Sequence, residues 1–370
     1  MTERHLSAVV LAAGEGSRMR SARPKPLHLL CGRAMVLYVL DALPAPEIDR
    51  AVVVVGHGAE RVTKKLTEDS AGLRLEFVEQ SVQRGTGDAL AVGLTGLPED
   101  DHDDDSDVLV LPGDTPLLRG RTVAELVAEH RHSGAACTVL TARLDDPTGY
   151  GRIVRVGKDD RIARIVEHRD AAPDELEIDE INTGIFCFRR SLLAPALRMV
   201  SPDNAQGEYY LTDVVEVLAE AGHRVVSVVA DDADETHGIN DRAQLAHAEA
   251  ELRSRTNAEW LAKGVTMVDP AATYIDTTVS LAADVTVFPG TILQGRTTIG
   301  EGVEIGPGCR LVDCTVGEHT RLDHTVARLS DIGADCIVGP YAALEPGSQI
   351  PAGTRTGPFY TAGADAPPEG

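Results

Sequence analysis

An aliphatic residue recurs every sixth position across the last quarter of the chain, at Ile275, Leu281, Val287, Leu293, Ile299, Ile305 and Leu311. After a short break the spacing resumes at Ile332, Val338, Leu344 and Ile350. Glycines follow several of these positions, as Gly300, Gly306, Gly333 and Gly339. Such a hexad period predicts a parallel β-helix. Each hexad supplies one flat face, stacked coils bury the aliphatic side chains, and glycine permits tight corners. At roughly 18 residues per coil, about four coils are expected.

The first 240 residues follow a different rule. Short β-rich runs (Ala8–Ala12, Ala51–Val55, Val108–Leu111) alternate with helical patterns (Met35–Leu43, Thr122–His130). That alternation reads as βαβ units around a mostly parallel sheet, whose ligands sit beyond the carboxyl ends of the strands. A length of 370 residues suits two domains. The expected divisions are residues 1–242, a linker helix at 243–264, the β-helix at 265–355 and a tail at 356–370, loosest from Asp365 to Gly370. The acidic run Glu99–Asp107 reads as a solvated loop.

Composition narrows the function. A net charge of −23 argues against nucleic acid or an anionic membrane as partner, so any phosphate must find a locally basic pocket. Six cysteines without CxxC spacing argue against zinc and fit a reducing compartment. The run Leu6–Ala13 is short and flows into a glycine loop, so it reads as a strand and not a leader. No stretch approaches the roughly 20 apolar residues of a membrane helix. A soluble cytoplasmic protein is expected.

Three loops carry chemistry. The first, Leu11-Ala12-Ala13-Gly14-Glu15-Gly16-Ser17-Arg18-Met19 with Pro24-Lys25, offers free backbone N–H groups and two cations to phosphate oxygens. It lacks the third glycine of a dinucleotide fingerprint and the Gly-Lys-Ser/Thr of a P-loop. Taken alone it is equally a turn bearing surface charge. In the second, Leu111-Pro112-Gly113-Asp114-Thr115, a carboxylate stands at a strand end where it can ligate Mg²⁺, although an isolated Gly-Asp is more often a plain turn. The third, Gln80 with Gln83-Arg84-Gly85-Thr86-Gly87, can read a base edge or serve as an ordinary βα turn.

Together these stretches resemble the sugar nucleotidyltransferases. LAAGEGSRM…PKPLH, QRGTGDA, LPGDTPLL, DDPTGYGRIVR, IVEH, EINTGIF, NAQGEYYLTD and GINDRAQLA occur in that family's order and lead into the hexad repeats, over about residues 5–350. NAQGEYYLTD and DDPTGYGRIVR are similar to the uridylyltransferase half of the bifunctional N-acetylglucosamine-1-phosphate uridylyltransferase/glucosamine-1-phosphate acetyltransferases. The resemblance implies an α/β Rossmann-like nucleotidyltransferase domain with a mixed sheet, followed by a short left-handed parallel β-helix. It also implies a homotrimer through that helix.

By the same resemblance, Leu11, Ala12, Ala13, Gly14 and Gly113 would cradle the nucleotide, with Lys25 on phosphate. Gln80, Gly85 and Thr86 would hold uracil, and Gly151, Glu167 and Asn182 the sugar. Asp114 and Asn240 would hold Mg²⁺, and Arg18 would steady the departing pyrophosphate. Several positions depart from the pattern: Ser17 replaces Thr, Asp88 replaces His, and Pro112 replaces an aromatic or polar residue. Glu345 replaces an arginine that binds the acetyl acceptor, and the downstream acetyl-transfer residues lack counterparts, so no acetyltransferase activity is expected.

The expected reaction is therefore Mg²⁺-assisted in-line transfer of UMP from UTP to N-acetylglucosamine 1-phosphate. Two alternatives stand beside it. One is transfer from dTTP, GTP or CTP to a modified sugar 1-phosphate; the other is a non-catalytic trimer that binds a sugar nucleotide.

Overall fold

Continuous buried, mostly aliphatic runs, rather than alternating ones, build the centre of the first sheet. Strand β1 (Leu6–Ala12) is buried along nearly its whole length, as is β2 (Arg50–Val55). Strands covered on both faces read as continuous apolar runs. The computed structural model describes residues 5–44, 47–48, 50–70, 72–97, 106–157 and 161–363. The chain divides into two compact units, Met1–His28 with Ala34–Leu245, and Leu29–Arg33 with Ala246–Gly370.

The first unit adds β3 (Arg74–Glu79), β4 (Asp107–Pro112), β5 (Cys137–Arg143), β6 (Arg152–Val156), β7 (Arg161–Val166), β8 (Glu180–Arg189) and β9 (Val225–Val229). Their order across the main path is β9-β5-β8-β4-β1-β2-β3, with β6 pairing β8 and β7 pairing β6. Strand β1 runs parallel to β2 and β4, while β8 runs antiparallel to β4 and β5. The sheet is mixed.

Helices cover both faces. On β1, Ala8 and Val10 point to one layer with Val36 of α1 (Met35–Asp41), Leu66 of α2 (Ala59–Asp69) and Leu126 of α4 (Gly120–Ser133). Val9 points to the other, with Leu90 of α3 (Thr86–Leu94), Leu193 of α5 (Arg190–Leu197) and Val214 of α6 (Asp213–Glu220). Alternation along an extended strand sends neighbours to opposite faces. Each buried Val or Leu side chain among them contributes about 1.5–3 kcal/mol by leaving water. The two layers therefore fix β1 from both sides and hold its carboxyl end still.

Of the acidic run Glu99–Asp107, residues 99–105 lie outside the described residues. Asp107 differs from the solvated loop expected there: it is fully buried in β4, 3.2 Å from Nε2 of His130, whose Nδ1 lies 2.9 Å from Thr138 Oγ1. A carboxylate can be buried when a partner meets it.

The second unit contains α7, now Arg242–Ala262, from Ala246 onward, and the predicted β-helix. Asn257 Nδ2 donates to the carbonyls of Pro270 and Thr273 at 2.9 and 3.0 Å, anchoring the helix to the first coil. Three parallel sheets form the faces, of five, six and five strands. The six-stranded row stacks Ile275, Leu293, Leu311, Ala327, Leu344 and Ala362.

The apparent break in the period is not a gap. Between Leu311 and Ile332 the inward positions are Val316, Leu322 and Ala327, all buried, so several steps shorten from six residues to five. The shortened corners hid a coil, and the stack is deeper than the four coils expected. It also runs past residue 355: Thr361–Ala362 pairs with Ala343–Leu344, and Tyr360 and Ala362 pack on the core. Residues 356–363 thus belong to the coil rather than the expected tail, because an open end of a β-helix exposes unpaired backbone groups that another strand can satisfy. Asp365–Gly370 lies outside the described residues. All six cysteines are buried, and no disulfide joins them. Among the described residues no helix is long and apolar enough to cross a membrane.

Candidate active site

The carboxyl ends of β1, β3 and β4 open on one cleft of about 510 Å³ in the first unit. Leu11, Ala12, Ala13 and Gly14 line it from the end of β1, Gln80, Gly85 and Thr86 from the turn after β3, and Gly113 and Asp114 from the end of β4. Lys25, Glu167 and Asn182 also line its wall, whereas Gly151, Asn240 and Arg18 of the predicted set do not. Gly151 lies just behind: its carbonyl accepts from the Asn182 N–H at 2.9 Å, and a Cβ there would stand 3.5 Å from Glu167 Oε2.

Backbone contacts explain the convergence. The Gly113 N–H donates to the Leu11 carbonyl at 2.8 Å, joining the ends of β4 and β1. The Ile239 N–H donates to the Asp114 carbonyl at 2.8 Å, which delivers Asn240 beside Asp114. Gly16 makes room for Lys25: its φ is +64°, and a Cβ would lie 2.7 Å from Lys25 Cβ. The Lys25 ammonium is then paired with the Asp114 carboxylate and donates to Asn240 Oδ1 at 2.8 Å.

Those two oxygens fit a divalent cation. Hard ions such as Mg²⁺ take carboxylate and amide oxygens, and here a carboxylate oxygen and an amide oxygen already share one positive charge. Gly151 and Asn240 lie outside the lining but bond to it through Asn182 and Lys25, whereas Arg18 stands apart. It sits in a short 3₁₀ turn (Ser17–Met19), exposed and outside the residues that line the cleft.

The turn after β3 is braced by the segment around NAQGEYYLTD, which the sequence marked only by resemblance. The Tyr209 N–H donates to the Arg84 carbonyl at 2.7 Å, and its carbonyl accepts from Gly87 at 2.8 Å. Thr86 Oγ1 accepts from the Leu211 N–H at 3.1 Å. Gly85, with φ of +109°, is required by this approach: a Cβ would fall 2.5 Å from the Tyr209 carbonyl oxygen. Gln83 Nε2 donates to the Ala13 carbonyl at 3.2 Å, linking this turn to the first loop. The segment folds on itself through Asn204, whose Nδ2 donates to the Glu208 carbonyl at 2.6 Å while its Oδ1 accepts from Gln206 and Glu208 N–H groups.

On the opposite wall, Thr212 Oγ1 donates to Glu167 Oε1 at 3.0 Å. Burial pushes the Glu167 carboxyl above its ordinary range, against the Thr212 hydrogen bond, and the nearby Asp170 adds to the rise. Asp213 is pushed up to about 6, first by burial and then by Glu216, Glu167 and Asp170. Of these carboxylates Glu167 lines the cleft, and its oxygens can accept from a ligand group that donates hydrogen bonds, as sugar hydroxyls and amides do. Leu211, Thr212, Phe186 and Glu208 also line the cleft. Only their place in that motif could have marked three of them, since nothing in the chain shows which strand end they reach.

The nucleotidyl transferase family model matches residues 7–261. The chain is 49% identical to the bifunctional protein GlmU of Streptomyces avermitilis over 356 residues, 96% of this chain and 73% of that protein. It is 48% identical to that of Streptomyces coelicolor (97% and 73%) and 44% identical to that of Desulfitobacterium hafniense (96% and 76%). A solved structure described as a glucose-1-phosphate thymidylyltransferase of Bacillus anthracis superposes with a TM-score of 0.52 at 20% identity, covering 66% of this chain and 94% of that one. This last likeness is one of fold.

Proposed function

This chain belongs to the nucleotidyl transferase family and is a sugar-1-phosphate nucleotidyltransferase, and from that premise we propose that it transfers UMP from UTP to N-acetylglucosamine 1-phosphate. The observation that carries this reading is the meeting, in one cleft, of a phosphate loop, a paired carboxylate and amide oxygen, and a braced glycine turn next to Gln80.

In this reading an oxygen of the sugar 1-phosphate forms a bond to the α-phosphorus of UTP, the bond from that phosphorus to the bridging oxygen breaks, and pyrophosphate leaves with the electron pair. The attacking oxygen is already anionic, so no general base is required. What remains is positioning and charge. The N–H groups of the loop after β1 and the Lys25 ammonium hold phosphate. Gln80 and Gly85 fix the base, with Thr86 tied to Leu211 behind them. Gly151, Asn182 and Glu167 receive the sugar and its amide. Asp114 and Asn240 would hold Mg²⁺, whose charge offsets that of the reacting phosphates. Arg18, exposed on its turn, would reach the departing pyrophosphate from outside the cleft wall.

The relatives called bifunctional protein GlmU are longer, and this chain spans about three quarters of each. For this chain we propose the nucleotidyl reaction alone, since Glu345 sets a carboxylate where the resemblance calls for an acceptor-binding arginine. We further propose a homotrimer through the β-helix and a cytoplasmic location.

Pyrophosphate release tests the reading, with UTP, dTTP, CTP, GTP and ATP crossed against a panel of sugar 1-phosphates in Mg²⁺. Preference for UTP with N-acetylglucosamine 1-phosphate is expected. Preference for another pair keeps the reaction and replaces the substrates. Tight product binding without turnover on any pair would overturn the catalytic assignment.

A further inference from the structure

We propose that Asp88 is a positioning residue for base selection, locking the Gln80 side-chain amide so that only its oxygen faces the cleft. The proposal rests on the reading above that Gln80 contacts the base, and it concerns how that contact is given a direction.

An amide side chain is ambiguous by shape. Its oxygen and nitrogen are nearly the same size, and a half-turn exchanges an acceptor for a donor. The neighbours of Gln80 remove the ambiguity. Its Nε2 lies 2.7 Å from Asp88 Oδ2 and 3.3 Å from the Gly85 carbonyl oxygen. Both partners are acceptors: a carboxylate accepts and does not donate, and so does a backbone carbonyl. Turning the amide over would set Oε1 against two oxygens and leave it without a donor. Both N–H bonds of Gln80 are thereby spent inside the protein, and Oε1 is what remains for the cleft that the residue lines.

Gln80 has no other way to settle. It is only 4% exposed, and its own N–H donates to the Val55 carbonyl at 2.8 Å, so the side chain starts from a fixed backbone. Asp88 sits in the first turn of α3, a helix pinned to the Tyr209 carbonyl through Gly87. Histidine, the residue expected at this position by resemblance, carries both a ring acceptor and a ring N–H, so it does not by itself force one amide orientation. Aspartate does.

The consequence is a filter at a single base atom. An acceptor-only Gln80 takes a hydrogen bond from the N3–H of uracil. Cytosine presents a bare acceptor nitrogen at that place, and two acceptors would then face each other in a site shielded from water. Gln83 ties this turn to the loop after β1, so the turn that carries the lock is itself fixed relative to that loop. Thymine shares the uracil edge, so the lock separates UTP and dTTP from CTP and does not separate the first two from each other.

The test compares kcat/KM for UTP and CTP, with one sugar 1-phosphate, on the same preparations of intact protein. Asp88→Asn supplies a donor of nearly equal shape and lets the amide turn. It is expected to lower the UTP-to-CTP ratio by roughly tenfold or more, mainly through the KM for UTP, with kcat little changed. On a Gln80→Ala background the same substitution is expected to leave the ratio where Gln80→Ala alone puts it, which a merely structural loss would not do. Calorimetric binding of UTP and CTP gives the same ratio for a variant that turns over poorly. If Gln80→Ala alters the ratio and Asp88→Asn does not, the lock is overturned and the base reading stands. If Gln80→Ala itself leaves the ratio unchanged, the base reading at Gln80 fails, and the lock fails with it.

Discussion

The Lys25 ammonium is paired with the Asp114 carboxylate across 89 residues of sequence, and the same ammonium donates to Asn240 Oδ1 at 2.8 Å. Two oxygens from separate loops therefore share one cation at the carboxyl end of β4. Both side chains of the ion pair are mostly shielded, at 13% and 23% exposure, so the pairing is screened less than a surface pair. Lysine occupies the place between the oxygens that a divalent ion would take. In the proposed reading Asp114 and Asn240 would hold the ion there, and the Lys25 ammonium would then be free to pair with phosphate.

That exchange separates two effects of one substitution. Lys25→Met is expected to lower kcat/KM by about 10²–10³-fold, the scale of losing one charged group that stabilises developing negative charge. In the absence of nucleotide it is expected to tighten Mn²⁺ binding, read by the loss of free-ion signal in electron paramagnetic resonance. Weaker Mn²⁺ binding in Lys25→Met would show that lysine helps to build the cation site instead of filling it. Asp114→Ala provides the opposite control: metal binding and turnover should fall together. A near-normal rate at saturating Mg²⁺ would remove Asp114 from the metal set.

Gly85→Ala tests the brace behind the base turn. With φ at +109°, and the Tyr209 carbonyl oxygen and N 2.5 and 2.9 Å from the added Cβ, neither atom can give way cheaply, because both are backbone. Strain of about 1–3 kcal/mol is expected. The turn should relieve part of it by moving away from Tyr209, so the KM for the nucleotide rises more than the KM for the sugar phosphate. Initial rates with each substrate varied in turn measure the split. Equal rises in both would place the damage in the whole fold.

Asp213 should make stability depend on pH in an unusual direction. Its carboxyl titrates at about 6 in the folded chain against an ordinary 3.8, because burial and the charges of Glu216, Glu167 and Asp170 disfavour the anion. The folded state therefore holds a proton that the unfolded state has lost between those two values. Folding gains from this group as pH falls from 6 toward 4 and lacks that gain above 6. Asp213→Asn is expected to raise the melting temperature at pH 7.5 by a few degrees, the scale of about 1 kcal/mol in a unit of this size. The difference from wild type should shrink as pH falls toward 4. Melting curves at pH 4.5, 6 and 7.5 check it, and a difference independent of pH would exclude Asp213 as the source.

Much of this architecture was legible because it repeats or because it punctuates. Leu293, Leu311 and Leu344 face inward on one row, as a six-residue period requires. The chain from Leu311 to Ile332 was harder to read, since a corner one residue shorter breaks the count without breaking the stack. At the site, Asp114 was visible as a carboxylate at a strand end. Asn240 came from resemblance alone, because the Ile239–Asp114 hydrogen bond that carries it to the cleft is a tertiary contact with no local signal. The same holds for Tyr209 behind Gly85, and for the Asp88 carboxylate on Gln80: eight residues apart in sequence, they meet through a turn whose path depends on a third segment. Asp107 was misread for a related reason. Its neighbours are acidic, but its partner, His130, lies 23 residues away.

The β-helix carries the last expectation. Val326, Leu329, Tyr341 and Phe359 are 48%, 58%, 55% and 74% exposed on its outer surface. Tyr341 stacks on Phe359 with ring centroids 5.4 Å apart, and His324 lies 5.0 Å from Tyr341, so successive coils line up an aromatic ladder facing outward. The exposed rings of this ladder lose their contact with water when another chain covers them. A species of three times 39.3 kDa is therefore expected in light scattering at micromolar concentration. Phe359→Glu combined with Tyr341→Glu should weaken the assembly by at least about tenfold, the effect of about 1.4 kcal/mol, and leave the circular dichroism of the β-helix unchanged. A monomer in the wild-type measurement would refute the trimer. A trimer insensitive to the double substitution would keep the assembly and move its seam to another face.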